Sequence, residues 1–93
     1  MIIQQTNRFK KVYKKLHPNQ LPYINEAIKA VIEDFTIGEQ KAGDLSWLRV
    51  YKFKMFGKLA LLGYSINDDK TEIVLTFVDA GFHENFYRDL KHL

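Results

Sequence analysis

The chain contains no cysteine. That excludes disulfide staples and thiolate chemistry and fits a cytosolic protein. No apolar run approaches the roughly 20 residues needed to cross a bilayer, and the N-terminus lacks the apolar core of a signal peptide; the expected location is the cytoplasm, with no membrane partner. Prolines number two and glycines five, too few and too scattered for a linker or low-complexity segment. No internal repeat is visible. The three histidines stand apart, without a carboxylate at metal-ligand spacing, so a metal site is not expected. A glycine-rich phosphate loop and a nucleophilic triad are also missing. No cofactor is expected.

What remains is one small domain, residues 1–93, rich in aromatic and apolar residues and uneven in charge. The hydrophobic fraction is 46%, with one Trp, five Tyr and seven Phe, enough to fold a modest core. The net charge of +3 conceals an asymmetry: residues 1–58 hold 11 of the 14 Lys+Arg and 5 of the 11 Asp+Glu. Basic charge gathered in one part of a small domain points to a polyanion or an acidic protein partner, or simply to a solvated surface.

Helical periodicity comes first along the chain. Met1 to Gln5 is a candidate edge strand, and Thr6 and Asn7 are N-cap residues. Phe9, Val12, Tyr13 and Leu16 then recur on one helical face, with Arg8, Lys10, Lys11, Lys14 and Lys15 on the other. His17-Pro18-Asn19 stops that helix. A second runs from about Leu21 to Asp34, with Pro22 in its first turn; together they predict an antiparallel helical hairpin. Thr36 to Ser46 reads as a loop. Strands follow: Trp47–Lys54, taken as the middle of a small sheet, then Leu59–Ile66 and Glu72–Ala80, joined by short turns into an antiparallel meander. Gly81 to Leu93 reads as a closing helix with Phe86, Leu90 and Leu93 inward. The class is therefore α+β, with an N-terminal helical hairpin packed on one face of a small curved antiparallel sheet.

The strand at 47–54 organises this reading. Tyr51 and Phe53 alternate with Lys52 and Lys54, so if the aromatics meet the helices, both lysines face away. Three groups then converge on the far side of the sheet: Lys52 and Lys54, with Arg49 and Lys58 nearby; the loop Gly38–Asp44; and residues 81–91, where His83 and Tyr87 lie one helical turn apart and Arg88 adds a cation. An imidazole, a phenol and lysines suit a phosphodiester: the imidazole moves a proton, the ammonium groups stabilise phosphorane charge, and the phenol stacks on or orients a base. Each residue also has a plainer role. Lysines solvate a sheet face, His83 caps or packs at a helix start, Tyr87 is half-buried, and Glu84 and Asp89 cap or form ion pairs.

The order of these elements, the basic first helix, Gly-Asp-Leu-Ser-Trp-Leu-Arg-Val-Tyr-Lys-Phe-Lys at 43–54, Leu-Leu-Gly-Tyr at 61–64 and His-Glu-Asn-Phe-Tyr-Arg-Asp-Leu-Lys at 83–91 together resemble the RelE/ParE superfamily of toxins from bacterial type II toxin–antitoxin modules. The resemblance spans nearly the whole chain. It implies a toxin held inactive by a cognate antitoxin, and one of two targets. RelE-like members cleave messenger RNA in the ribosomal A site without metal, through attack of the 2′-hydroxyl on the adjacent phosphate. ParE-like members bind DNA gyrase and lack a nuclease site. Carried over by position, Lys52 and Lys54 match a pair serving as base and charge stabiliser, His83 falls where family nucleases place a basic residue or histidine after the last strand, and Tyr87 matches an aromatic that contacts the nucleotide. Arg8, Lys10, Lys11, Lys14, Lys15, Arg49, Lys58 and Arg88 become candidate RNA contacts. The chain departs from the pattern at Leu61, where RelE-like nucleases carry a phosphate-gripping arginine. The expected function is a ribosome-dependent endoribonuclease, with gyrase inhibition as the alternative and an inactive interaction module as a third option.

Overall fold

Thr6 starts the first helix through its own hydroxyl. Its Oγ1 accepts a hydrogen bond from the Phe9 amide at 3.0 Å, which satisfies one of the unpaired amides that every helix start presents. The computed structural model, which describes residues 1–69 and 71–90, places this helix, α1, over Asn7–Lys14, after an edge strand β1 at Ile2–Gln5. Helix α2 spans Leu21–Glu33 with Pro22 in its first turn. Beyond it, the Asp34 carboxylate accepts hydrogen bonds from both the hydroxyl and the amide of Thr36. These bonds, the hydroxyl's foremost, hold the Asp34 pKa below the usual carboxylate range.

The loop that follows is more ordered than its composition implied. It contains a two-residue strand, β2, at Glu39–Gln40 and a 3₁₀ turn at Gly43–Leu45. Strand β3 begins at Arg49 and runs to Met55, which leaves Trp47 outside it. Strand β4 spans Lys58–Asp68 and β5 spans Ile73–Phe82. The last strand overruns its expected end because its ladder with β4 continues through Leu61↔Gly81 and Ala60↔Phe82. Helix α3 accordingly starts at His83, not Gly81, and runs to Leu90. Leu93, expected to point inward, and Lys70 of the polar turn lie outside the described residues.

The strand order is β1-β5-β4-β3-β2. β3, β4 and β5 form the expected meander, while β1 adds in parallel to β5. The centre of the sheet is β4, not β3. β2 pairs with β3 only through Glu39↔Val50 and Gln40↔Arg49, so Tyr51–Met55 runs along the edge. The β3–β4 hairpin turns on Phe56 and Gly57, both at positive φ, as a two-residue turn of type I′ requires.

Each face of the sheet has its own core. On one, α1 packs against β5 and α2 against β3 and β4, burying Phe9, Ile24, Ala27, Val31, Met55, Leu62, Tyr64, Leu75 and Phe77. On the other, α3 packs against β4 and β5 and buries Leu48, Val50, Leu61, Val78, Phe86 and Leu90. The face opposite the first two helices, expected to be open, is thus partly roofed by α3. Val78 turns towards this second core because it is the extra residue of a bulge, where Gly63↔Asp79 is followed by Tyr64↔Phe77.

Gly63 lets α3 seat this closely. A Cβ there would lie 2.7 Å from Phe86 Cζ and 3.2 Å from Leu48 Cδ1. Gly63→Ala is expected to lift α3 and cost about 1–3 kcal/mol, as overpacking in a filled core does. Urea unfolding of the purified variant measures this, and a parent-like midpoint would contradict the packing argument.

Candidate functional site

The pleat of β3 sends its residues to two different environments. Tyr51 and Phe53 pack on the core beneath α1 and α2, with their rings stacked 6.0 Å apart. Lys52 and Lys54 share a face with Val50, which belongs to the α3 core. Both lysines are exposed. Across the ladder Lys52 pairs with Leu61 and Lys54 with Leu59. Leu59 is half-buried against the α3 core and lines an open cleft of about 310 Å³ with Lys58, Phe82, His83 and Glu84. Lys54 also borders the groove between α2 and β3.

β2 adds two charged residues to the same face. Pairing with Val50 sets Glu39 beside Lys52, and the Lys41 amide donates to Leu48 O at 2.9 Å. The Glu39 carboxylate bridges two ammonium groups, with Oε2 3.8 Å from Lys52 Nζ and Oε1 3.5 Å from Lys41 Nζ. The Lys41 ammonium lies over the Tyr87 ring, 5.4 Å from its centroid. The polar contact with the Tyr87 hydroxyl, and after it the charge interactions with Tyr87 and then Glu39, raise the Lys41 pKa above the ordinary lysine value, against the opposing effect of burial. Lys41 is therefore a fixed cation at neutral pH. Tyr87 meets His83 edge-on, with ring centroids 5.9 Å apart, and its own hydroxyl is buried without a well-formed hydrogen bond among the described residues. Lys52, Glu39, Lys41, Tyr87 and His83 thus form one continuous polar track beside α3.

Other candidate cations lie elsewhere. Arg49 has the opposite pleat from Lys52; its guanidinium donates to Gly38 O at 2.8 Å and straps the loop after α2. Arg8 pairs with the buried carboxylate of Asp79 at 3.1 Å, where it ties α1 to β5. Lys10, Lys11 and Lys14 on α1 and Lys15 just past its end are exposed, on the far side of the sheet from the track. Lys58 lies 5.9 Å from the Phe82 ring centroid, at the cleft that His83 lines. Arg88 is exposed and bonds Asn85 along α3 at 3.0 Å. Glu39 and Lys41 were not singled out in the sequence, although their loop was. No local pattern marks them, because one pair of charged residues two apart is too short to signal a strand.

The sequence pattern of a family described as the ParE-like toxin of type II bacterial toxin–antitoxin systems matches residues 3–91. The chain belongs to that family. Solved structures of superfamily toxins share its fold. A mutant E. coli toxin RelE in complex with an antitoxin RelBc peptide superposes with a TM-score of 0.65 at 19% identity, over 95% of this chain and 92% of that one. The toxin in the intact E. coli RelBE complex gives 0.64 at 21% identity, over 87% and 94%. The YoeB/ParE toxin from Agrobacterium tumefaciens gives 0.65 at 16%, over 89% and 99%. A comparison with curated proteins returns no match.

The toxin is a mixed α+β domain of the RelE/ParE superfamily. Among its described residues no group of three or more His, Cys, Asp or Glu is arranged to hold a metal ion, and no helix is long and apolar enough to cross a membrane. Leu61, the position at which the resemblance to RelE implied an arginine, is fully buried beneath α3. Restoring the cation is therefore expected to fail: Leu61→Arg places an uncompensated charge in an apolar cluster, with an expected cost of ~3–5 kcal/mol. Thermal unfolding measures the loss; a Leu61→Arg variant as stable as the parent would mean that α3 yields the space easily.

Proposed function

We propose that this toxin is a ribosome-dependent, metal-independent endoribonuclease that cleaves messenger RNA and blocks translation. The observation that carries the reading is the placement of two exposed lysines, Lys52 and Lys54, on the sheet face that also presents His83 and Tyr87. The nucleophile belongs to the substrate: the 2′-hydroxyl oxygen bonds to the adjacent phosphorus while the bond from phosphorus to the 5′-oxygen breaks. Products are a 2′,3′-cyclic phosphate and a 5′-hydroxyl. The 2′-hydroxyl proton passes to the base, one of Lys52 and Lys54, while the other stabilises phosphorane charge, and the departing 5′-oxygen takes up a proton to become the 5′-hydroxyl. His83 is the general acid or base, a role suited to imidazole near neutral pH. Tyr87, with Lys41 over its ring, orients the nucleotide. No cofactor is needed, because the attacking group is already next to its target.

The exposed lysines on and just past α1, Lys10, Lys11, Lys14 and Lys15, hold ribosomal RNA from the opposite side of the domain, with the steep salt dependence of phosphate contacts. A cognate antitoxin covers the sheet and helices until release, and the toxin works in the cytoplasm. A second reading, non-enzymatic inhibition of DNA gyrase, is favoured by one observation: the buried Leu61 supplies no phosphate-gripping cation.

Induction in cells followed by mapping of messenger RNA 5′ ends tests the choice. New ends within translated codons, unaffected by chelator in a purified translation system, are expected; growth arrest with intact messages, double-strand breaks and an SOS response would give the gyrase reading instead. Lys52→Ala with Lys54→Ala is expected to abolish toxicity while the protein stays folded. Undiminished toxicity of the folded double variant would move the site elsewhere.

A further inference from the structure

Lys41 and Lys52 hold a carboxylate from the toxin's own chain between them. The Glu39 oxygens stand 3.5 and 3.8 Å from the two ammonium nitrogens, longer than a strong charge-assisted hydrogen bond. The Glu39 side chain is 63% exposed and that of Lys52 51%, whereas that of Lys41 is 21% exposed. One cation is therefore partly sunk against Tyr87 and fixed, the other is free to reach outward, and the anion between them is the most exposed of the three. An ion pair this open to water is weak and easily exchanged.

A carboxylate presents two anionic oxygens on a single atom, as does a phosphodiester. We infer that Lys41 and Lys52 form a phosphate-binding site for the RNA backbone, and that Glu39 is its resident competitor. In this arrangement Lys41 supplies, from β2, the phosphate contact that buried Leu61 cannot give from β4. Glu39 has to swing away, through rotations of its own exposed side chain, before a phosphodiester enters. The segment that brings both residues is well anchored: Tyr64 Oη accepts from Gly38 N at 2.9 Å and donates to Phe35 O at 2.7 Å, and Arg49 caps Gly38 O. The inference rests on the nuclease reading only for the source of the phosphate.

The test is equilibrium binding of a fluorescent, uncleavable 2′-O-methyl RNA oligonucleotide to toxin made by cell-free synthesis, at fixed low salt, with inorganic phosphate as competitor. Glu39→Gln is expected to tighten binding about fivefold, the change an exposed ion pair can release. Glu33→Gln, which removes the same charge at the exposed end of α2, controls for net charge and should change affinity less than about twofold. Lys41→Met is expected to weaken binding about fivefold or more and to erase the gain from Glu39→Gln in the double variant, the non-additivity that marks a shared site. Lys41→Arg should restore most of the affinity, which separates loss of the cation from loss of the fold. Inorganic phosphate should displace the oligonucleotide from the parent more effectively than chloride of equal ionic strength; if it does not, there is no phosphate site. Equal gains for the two glutamate variants, or a Glu39→Gln gain that survives Lys41→Met, would overturn the inference. Because the probe cannot be cleaved, the outcome is independent of message cleavage. The site can stand with messages intact, and the nuclease reading can stand with Glu39 inert.

Discussion

Five consecutive residues of β4, Ala60 to Tyr64, are buried, and because their side chains alternate in direction, both faces of the sheet have to be covered there. Ala60, Leu62 and Tyr64 demand α1 and α2. Leu61 and Gly63 demand α3. Leu45 and Leu48, at and just after the 3₁₀ turn, share the second task with it. α3 therefore lies across the sheet, and the packing of Phe86 and Leu90 puts its residues His83 and Tyr87 on the same side of the sheet as the β3 lysines. The position of the proposed site follows from the need to keep one strand dry.

The electrostatics follow the same division. Cations beside a buried acid or an open carbonyl are consumed by the fold: Arg8 by Asp79, Arg49 by Gly38. Cations at the sheet edge, where β2 gives β3 only two residues of pairing, remain exposed, and Lys52 and Lys54 are of this kind. The basic patch read from composition is thus three separate things: structural ties, a solvated helix face on α1, and a short polar track beside α3. Net charge alone cannot distinguish them, because it carries no information about which face a residue occupies.

Much of the architecture was legible because its signals are local. The stripe Phe9, Val12, Tyr13 and Leu16, the Thr6 cap, Pro22 in a first turn and the alternation of Tyr51, Lys52, Phe53 and Lys54 each fix an element within a few residues. Non-local pairings were harder. Nothing in Ile2–Gln5 announces a parallel partner at Val74–Phe77, and nothing in Glu39-Gln40 announces a two-residue strand. The roof over the far face was readable in principle: Leu59-Ala60-Leu61-Leu62 does not alternate, and an unbroken apolar run in a strand signals cover on both sides. Of the site, Lys52 and Lys54 came from their pattern. Arg49 does not join them, because an odd residue in the same strand points the other way. Lys41 escaped notice because its meaning depends on Tyr87, far along the chain on α3.

The Tyr64 ring fills the space where a side chain at position 38 would begin, and its hydroxyl serves two backbone groups of the adjoining segment. A bulkier residue at 38 would need a smaller one at 64, and the smaller one would not reach the two backbone groups that the Tyr64 hydroxyl holds in the segment that bears Glu39 and Lys41. Evolutionary drift at these two positions is therefore not independent. A lineage that altered the pair would retune the charge on the far side of the sheet without touching a single charged residue.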